Sequence, residues 1–270
     1  MKITFLGGGN MATALIGGLL GKGGQAGDIG VIEISEPARE RLQRTFGVRC
    51  HAAPSAEALA VDVLVLATKP QQMREVCAAL DGLLREQLVV SIAAGLRLAD
   101  ISRWLGAYRR LVRAMPNTPA LIGAGMTGLF ALPEVSASER LSAERILQAA
   151  GSTLWVDDEA QIDAITAISG SGPAYVFLLI EAMQAAAEKL GFAPPQARQL
   201  ALETVLGAAR LAAQSDEAAS VLRERVTSKG GTTEAALKVM NERGVKDGIV
   251  AGALAARDRS RELGEQLGGN

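Results

Sequence analysis

The chain has 270 residues, of which 49% are hydrophobic and only 3% aromatic, and it carries a net charge of −1. That length suits one large domain or two ordinary ones, and a core built from Ala, Leu, Ile and Val favours helices around a few buried parallel strands. The near-zero charge excludes a global field that would draw the chain onto nucleic acid or an anionic membrane, so an anionic ligand must be held by local features.

Met1-Lys2 leads directly into Ile3–Leu6, a short apolar run that ends in glycines and lacks the pattern of a secretory signal. Those residues are expected to form the first strand, and residues 10–20 the first helix. Between them lies Gly7-x-Gly9-x-x-Ala12. Gly7 permits a tight turn, Gly9 lets the backbone approach a pyrophosphate, and Ala12 allows close helix–sheet packing. The helix N-terminus presents free N–H groups to phosphates. Gly7, Gly8, Gly9, Asn10, Met11 and Ala12 are therefore the expected cofactor turn.

Residues 29–33 read as a second strand ending at Glu33. A carboxylate there binds the adenosine ribose hydroxyls and repels a 2′-phosphate. Ser35, Arg39 and Arg41 follow; the arginines serve a 2′-phosphate or lie on a solvated helix face, so the form of the cofactor stays open. His51, the only histidine, reads as a strand-end residue, which leaves no histidine-based mechanism. Cys50 and Cys77 have neither metal-like nor redox-like spacing; no metal site is expected, and a reducing, cytoplasmic compartment is.

Residues 63–67 and 88–92 are continuous apolar runs, as in strands buried on both faces. Ala67-Thr68-Lys69-Pro70 and Ala93-Ala94-Gly95 follow them, at carboxyl ends where open α/β sheets bind ligands. Ala67, Lys69, Pro70 and Ala93 join Glu33 and Ser35 as expected cofactor contacts. Residues 111–114, 126–132 and 152–156 read as further strands. In Met115-Pro116-Asn117-Thr118-Pro119 two prolines fix a loop, and the Asn117 amide either shapes a nicotinamide pocket or belongs to a rigid turn. The alternation predicts an α/β Rossmann-type domain with a mainly parallel sheet and right-handed crossovers over residues 1–158.

After Asp157-Asp158-Glu159, which can start a helix, no strand is expected. Helices are predicted over 174–190, 195–213, 217–225, 233–243 and 245–267, giving an all-α domain from 159 to 270. The most apolar stretch, 173–187, is interrupted by Glu181 and Gln184 and reads as a buried helix with no membrane span. Gly268-Gly269-Asn270 are expected to fray. Small residues such as Gly207-Ala208-Ala209 fit either bundle packing or a helical dimer interface. Ser169-Gly170-Ser171-Gly172-Pro173-Ala174 and Thr227-Ser228-Lys229-Gly230-Gly231-Thr232-Thr233 are two Gly/Ser/Thr-rich helix starts. The second suits an anion, because successive N–H groups converge there; it also reads as a connector with a threonine cap.

Taken in order with the N-terminal glycine turn, the motif 115–119, the motif 169–174 and Thr227-Ser228-x-Gly230-Gly231-Thr232-Thr233 resemble pyrroline-5-carboxylate reductase over essentially the whole chain. The resemblance implies reduction of 1-pyrroline-5-carboxylate to L-proline, a Rossmann domain followed by a dimerisation domain, and a homodimer that assembles further into a decamer of five dimers. It implies an active site shared between subunits. Ser228 and the backbone around Gly230, Gly231 and Thr232 would hold the substrate carboxylate, with the Thr233 hydroxyl by the ring nitrogen. Many relatives carry a Ser/Asn-Arg-type pair suited to NADPH where this chain has Glu33-Ile34, which leaves NADH open. A 3-hydroxyacid dehydrogenase would need a catalytic lysine, and residues 173–179 hold none. A dinucleotide-sensing regulator would leave the 227–233 cluster idle.

Overall fold

A computed structural model describes residues 1–269; Asn270 lies outside the described residues. Eight strands among them form one sheet: β1 (Ile3–Leu6), β2 (Ile29–Ile32), β3 (Arg49–His51), β4 (Val63–Leu66), β5 (Leu88–Ser91), β6 (Leu111–Met115), β7 (Gly125–Ala131) and β8 (Gly151–Trp155). Their order is β3-β2-β1-β4-β5-β6-β7-β8. Every pairing is parallel except β6 with β7, where Val112 faces Ala131 in an antiparallel register. The sheet is thus mainly parallel, as the sequence predicts, with one reversal.

Helices α1 (Asn10–Gly21), α2 (Glu36–Phe46), α3 (Met73–Ala78), α4 (Leu98–Trp104) and α5 (Ala137–Gln148) cover the sheet. Side chains alternate across a strand, so Ile3, Phe5, Val31, Val63, Val65 and Val90 join Leu15 and Ile16 of α1 and Ile146 of α5 on one face. Leu6, Ile32, Leu64, Leu66 and Val89 meet Met73 of α3 and Ile101 of α4 on the other. Burial on both faces is why the strands are uninterrupted apolar runs. Each buried Leu, Ile, Val or Phe contributes about 1.5–3 kcal/mol.

The helical region comprises α6 (Ala160–Ile165), α7 (Gly172–Lys189), α8 (Pro194–Ala213), α9 (Ala219–Arg225), α10 (Thr232–Glu242) and α11 (Val245–Gly268). A π-helical turn, Thr166–Gly170, joins α6 to α7, with the Ser171 N–H donating to the Thr166 carbonyl at 2.8 Å. The compact units do not divide at 158. One unit is Met1–Ser171 together with the chain from Ala255 onward; the other is Gly172–Leu254. The reason lies in a buried polar cluster. Arg113 on β6 donates to Glu159 (3.2 Å) and to Asp163 of α6 (3.0 Å), and Ser260 of α11 donates to Asp163 (3.0 Å). Residues 159–171 and the end of α11 thereby belong with the sheet.

Two expectations are corrected. Gly268 does not fray: it is the last residue of α11, buried, and its carbonyl accepts the Arg103 guanidinium. Nor is the 173–187 stretch buried. Along α7, Val176, Phe177, Leu178 and Leu179 are 44–65% exposed, and Ala187 alone among the helix's described residues is buried. The helical stretch 160–189 is also long and apolar enough, by length and composition, to cross a membrane. An apolar face of this extent marks a surface that something outside the single chain covers.

Candidate active site

The parallel strands β1, β2 and β4 all end on the same edge of the sheet. A cleft of about 380 Å³ opens there, lined by Gly7, Gly8 and Gly9 after β1, by Glu33 after β2 and by Ala67, Thr68 and Lys69 after β4. Strand order reverses between β1 and β4, the crevice where such sheets bind ligands.

Gly7 has φ +105°, and a Cβ on it would lie 2.7 Å from the Ala67 carbonyl oxygen, so only glycine fits. At Gly9 a Cβ would meet no protein atom within 4 Å. The protein's own packing therefore does not demand glycine there, and the open space fits a closely approaching pyrophosphate. Gly9 starts α1 without a side-chain cap, and the first turn has no acidic residue, which leaves the helix N–H groups free for an anion. Ala12 is buried against the core, as expected. Asn10 and Met11 are the first two residues of α1.

Glu33 lies one residue beyond β2. Its carboxylate accepts the Gly8 N–H and the Ser35 N–H, both at 2.9 Å, and so is fixed at the cleft wall. Arg39 does not reach into the cleft with its donors: its guanidinium donates to the carbonyls of Glu33 (2.7 Å) and Ile34 (2.8 Å). Arg41 is exposed on α2.

Several expected contacts sit elsewhere. Pro70 opens a short helical turn and Ala93 is buried in the core at the end of β5; neither lines the cleft. The Asn117 amide is committed to the protein: its Oδ1 accepts the Met126 N–H (2.9 Å), and its Nδ2 donates to the carbonyl and hydroxyl of Ser169. The motif 169–174 thus serves first to lay the π-turn against the 115–117 loop. Conversely, Ala52-Ala53-Pro54 after β3 and Gln72, Glu75 and Val76 around α3 line the cleft and were not singled out by sequence. The Ala-Ala-Pro run follows a strand directly, which is the signal that could have found it. Behind the cleft wall, burial pushes the Cys77 thiol up to about 12, which keeps it neutral and inert.

In the helical unit, residues 227–233 turn from α9 into α10 beside an open depression lined by Thr227, Gly230, Gly231, Glu234 and Lys238. Gly230 has φ +74°. The Gly231 N–H donates to the Ser228 carbonyl at 3.0 Å, and the Thr227 hydroxyl to the Arg223 carbonyl at 2.6 Å. The Gly230 N–H is taken by the Glu234 carboxylate at 2.6 Å. Of the backbone groups expected to bind an anion, those of Gly230 and Gly231 are therefore already paired. Thr232 and Thr233 open α10, where helix N–H groups have no partner within the helix. The Ser228 hydroxyl lies over Gly231, 2.5 Å from where a Cβ would stand.

These features define a Rossmann-type, dinucleotide-dependent oxidoreductase with an added helical unit. A family model described as pyrroline-5-carboxylate reductase dimerisation matches residues 159–263, and one described as NADP oxidoreductase, coenzyme F420-dependent, matches residues 2–95. The pyrroline-5-carboxylate reductase of Pseudomonas aeruginosa is 49% identical over 269 residues, 99% of this chain and 98% of its own length. The chain belongs to the pyrroline-5-carboxylate reductase family. Its fold agrees: the solved structure of a pyrroline-5-carboxylate reductase from Coxiella burnetii has a TM-score of 0.92 at 44% identity, covering 97% of this chain and 98% of that one. The Plasmodium falciparum pyrroline carboxylate reductase, solved with NADP bound, has a TM-score of 0.86 at 27% identity, covering 98% of each.

Proposed function

We propose that the chain reduces the C=N bond of 1-pyrroline-5-carboxylate with NAD(P)H to give L-proline, the last step of proline biosynthesis. The observation that supports this is the 227–233 turn, where the Ser228 hydroxyl lies over Gly231 and α10 begins without a side-chain cap, an arrangement suited to an anion. When bound, the reduced nicotinamide supplies the hydride. The first unit contributes the glycine turn for the pyrophosphate, Glu33 for the adenosine ribose and Lys69 at the cleft rim.

In the second unit, Ser228 and the backbone N–H groups around Gly230, Gly231 and Thr232 hold the substrate carboxylate, with the Gly230 N–H taken by Glu234 until substrate arrives. The Thr233 hydroxyl donates to the ring nitrogen, whose basicity rises as the C=N bond is reduced. No histidine or carboxylate pair is needed. We read the substrate and dimerisation region as beginning at 159, a reading supported by the dimerisation match over residues 159–263, although residues 159–171 pack with the sheet.

NADH is the preferred cofactor on our reading, because Glu33 is fixed at the cleft wall and Arg39 is tied to backbone carbonyls. NADPH is the second reading, favoured by the NADP bound to the Plasmodium falciparum relative. The protein acts as a homodimer, covering the apolar face of α7, with the family resemblance extending this to a decamer of five dimers. A cytoplasmic location fits its two free thiols. The test is an absorbance assay at the nicotinamide band with pyrroline-5-carboxylate, run separately with NADH and NADPH. Oxidation is expected with both and faster with NADH; none with either refutes the assignment.

A further inference from the structure

Glu234 occupies the third position of α10, where a helix-start glutamate commonly reaches back to a preceding N–H. Its carboxylate accepts the N–H of Gly230, held in a left-handed conformation at φ +74°. Gly231 follows with its own N–H on the Ser228 carbonyl and with the Ser228 hydroxyl over its Cα. A carboxylate of the chain itself is thus seated on the turn that the proposed function gives to the substrate carboxylate.

We propose that Glu234 is an internal competitor for the substrate carboxylate, an inference that rests on that reading of the 227–233 turn. Two carboxylates on one turn repel, and the helix-start N–H groups favour a single anion strongly. An arriving ring carboxylate therefore binds as Glu234 releases Gly230. The released side chain has a destination: Lys238 lies one helical turn further on, lines the same depression, and stands at the i,i+4 spacing that favours a Glu–Lys pair. In the empty enzyme Glu234 keeps the glycine turn ordered; in the loaded enzyme its charge is neutralised by Lys238. The consequence is a weaker grip on anionic ring compounds than the turn alone would give.

The experiment uses the full-length enzyme and two competitive inhibitors, cyclopentanecarboxylate and its uncharged counterpart cyclopentanecarboxamide, against wild type, Glu234→Ala, Glu234→Gln and Ser228→Ala. Glu234→Ala is expected to lower the inhibition constant of the carboxylate by about three- to tenfold, the scale of one exposed charge-assisted hydrogen bond. The carboxamide should change by less than about twofold. Glu234→Gln keeps an acceptor for Gly230 without the charge and should fall between wild type and Glu234→Ala, which also covers the case in which the alanine variant folds poorly. If Glu234 only stabilises the helix start, both inhibitors weaken together in Glu234→Ala and the proposal is overturned. Ser228→Ala tests the underlying reading separately: it should weaken the carboxylate selectively, and no change there removes the turn from substrate binding whatever Glu234 does.

Discussion

Thr233 sits in the first turn of α10, beside helix-start N–H groups suited to an anion, and in the proposed function its hydroxyl donates to the ring nitrogen. Replacing it by alanine removes a positioned hydrogen-bond donor and leaves the helix start intact. Turnover should fall about tenfold or more with an unchanged thermal midpoint; wild-type turnover would remove Thr233 from the mechanism. At the other site, Glu33→Ser takes away the charge that, in the proposed NADH preference, opposes a 2′-phosphate. The ratio of kcat/KM with NADPH to that with NADH should rise at least about tenfold, since placing like charges together costs several kcal/mol. An unchanged ratio means that Glu33 does not face the ribose. Glycine turns and strand-end carboxylates are legible in sequence because their roles follow from position along the chain. Glu234 and the Asn117 amide are not, because their partners depend on where a flexible side chain reaches.

At the level of elements, the strands, the first helix and the helices after residue 171 are legible, since periodicity marks them within about two residues, whereas α3, α4 and α5 are not singled out by the sequence. Two features left no mark. The reversal between β6 and β7 does not change the composition of a strand buried on both faces. An apolar helix reads the same whether its partner lies in its own chain or in another, so the sequence predicts a buried α7 where Phe177 is 60% and Leu178 65% exposed. If the homodimer covers this face, Phe177→Glu places a charge in an apolar interface at a cost of several kcal/mol. The dimer dissociation constant should rise at least about a hundredfold, seen by sedimentation as a shift to the monomer mass. An unchanged mass at micromolar concentration would leave some other surface as the interface.

At the scale of the whole molecule, the division of the chain is set by contacts between distant residues, which is why the sequence boundary at 158 and the compact units differ. Arg113, Asp163 and Ser260 are buried together although 50 and 97 positions separate their pairs, and the Arg113 Nε has no hydrogen-bond partner among the described residues. Their pairing joins a central strand, the first helix after the sheet and the last helix of the chain. Asp163→Ala would leave Arg113 with only Glu159, which is less buried, and would strand the Ser260 hydroxyl. Removing one partner of a buried ion pair costs about 3–5 kcal/mol, and the surviving Glu159 contact puts this case at about 3 kcal/mol. Ser260→Ala removes one hydrogen bond to a charged group and should cost about 1.5 kcal/mol. Denaturant unfolding at one fixed protein concentration, so that dimerisation contributes equally, should order the midpoints wild type, Ser260→Ala, Asp163→Ala. The two losses should not add in the double variant, because both substitutions remove the same contact; additive losses would mean that Ser260 and Asp163 act independently and that α11 is held to the sheet by other means.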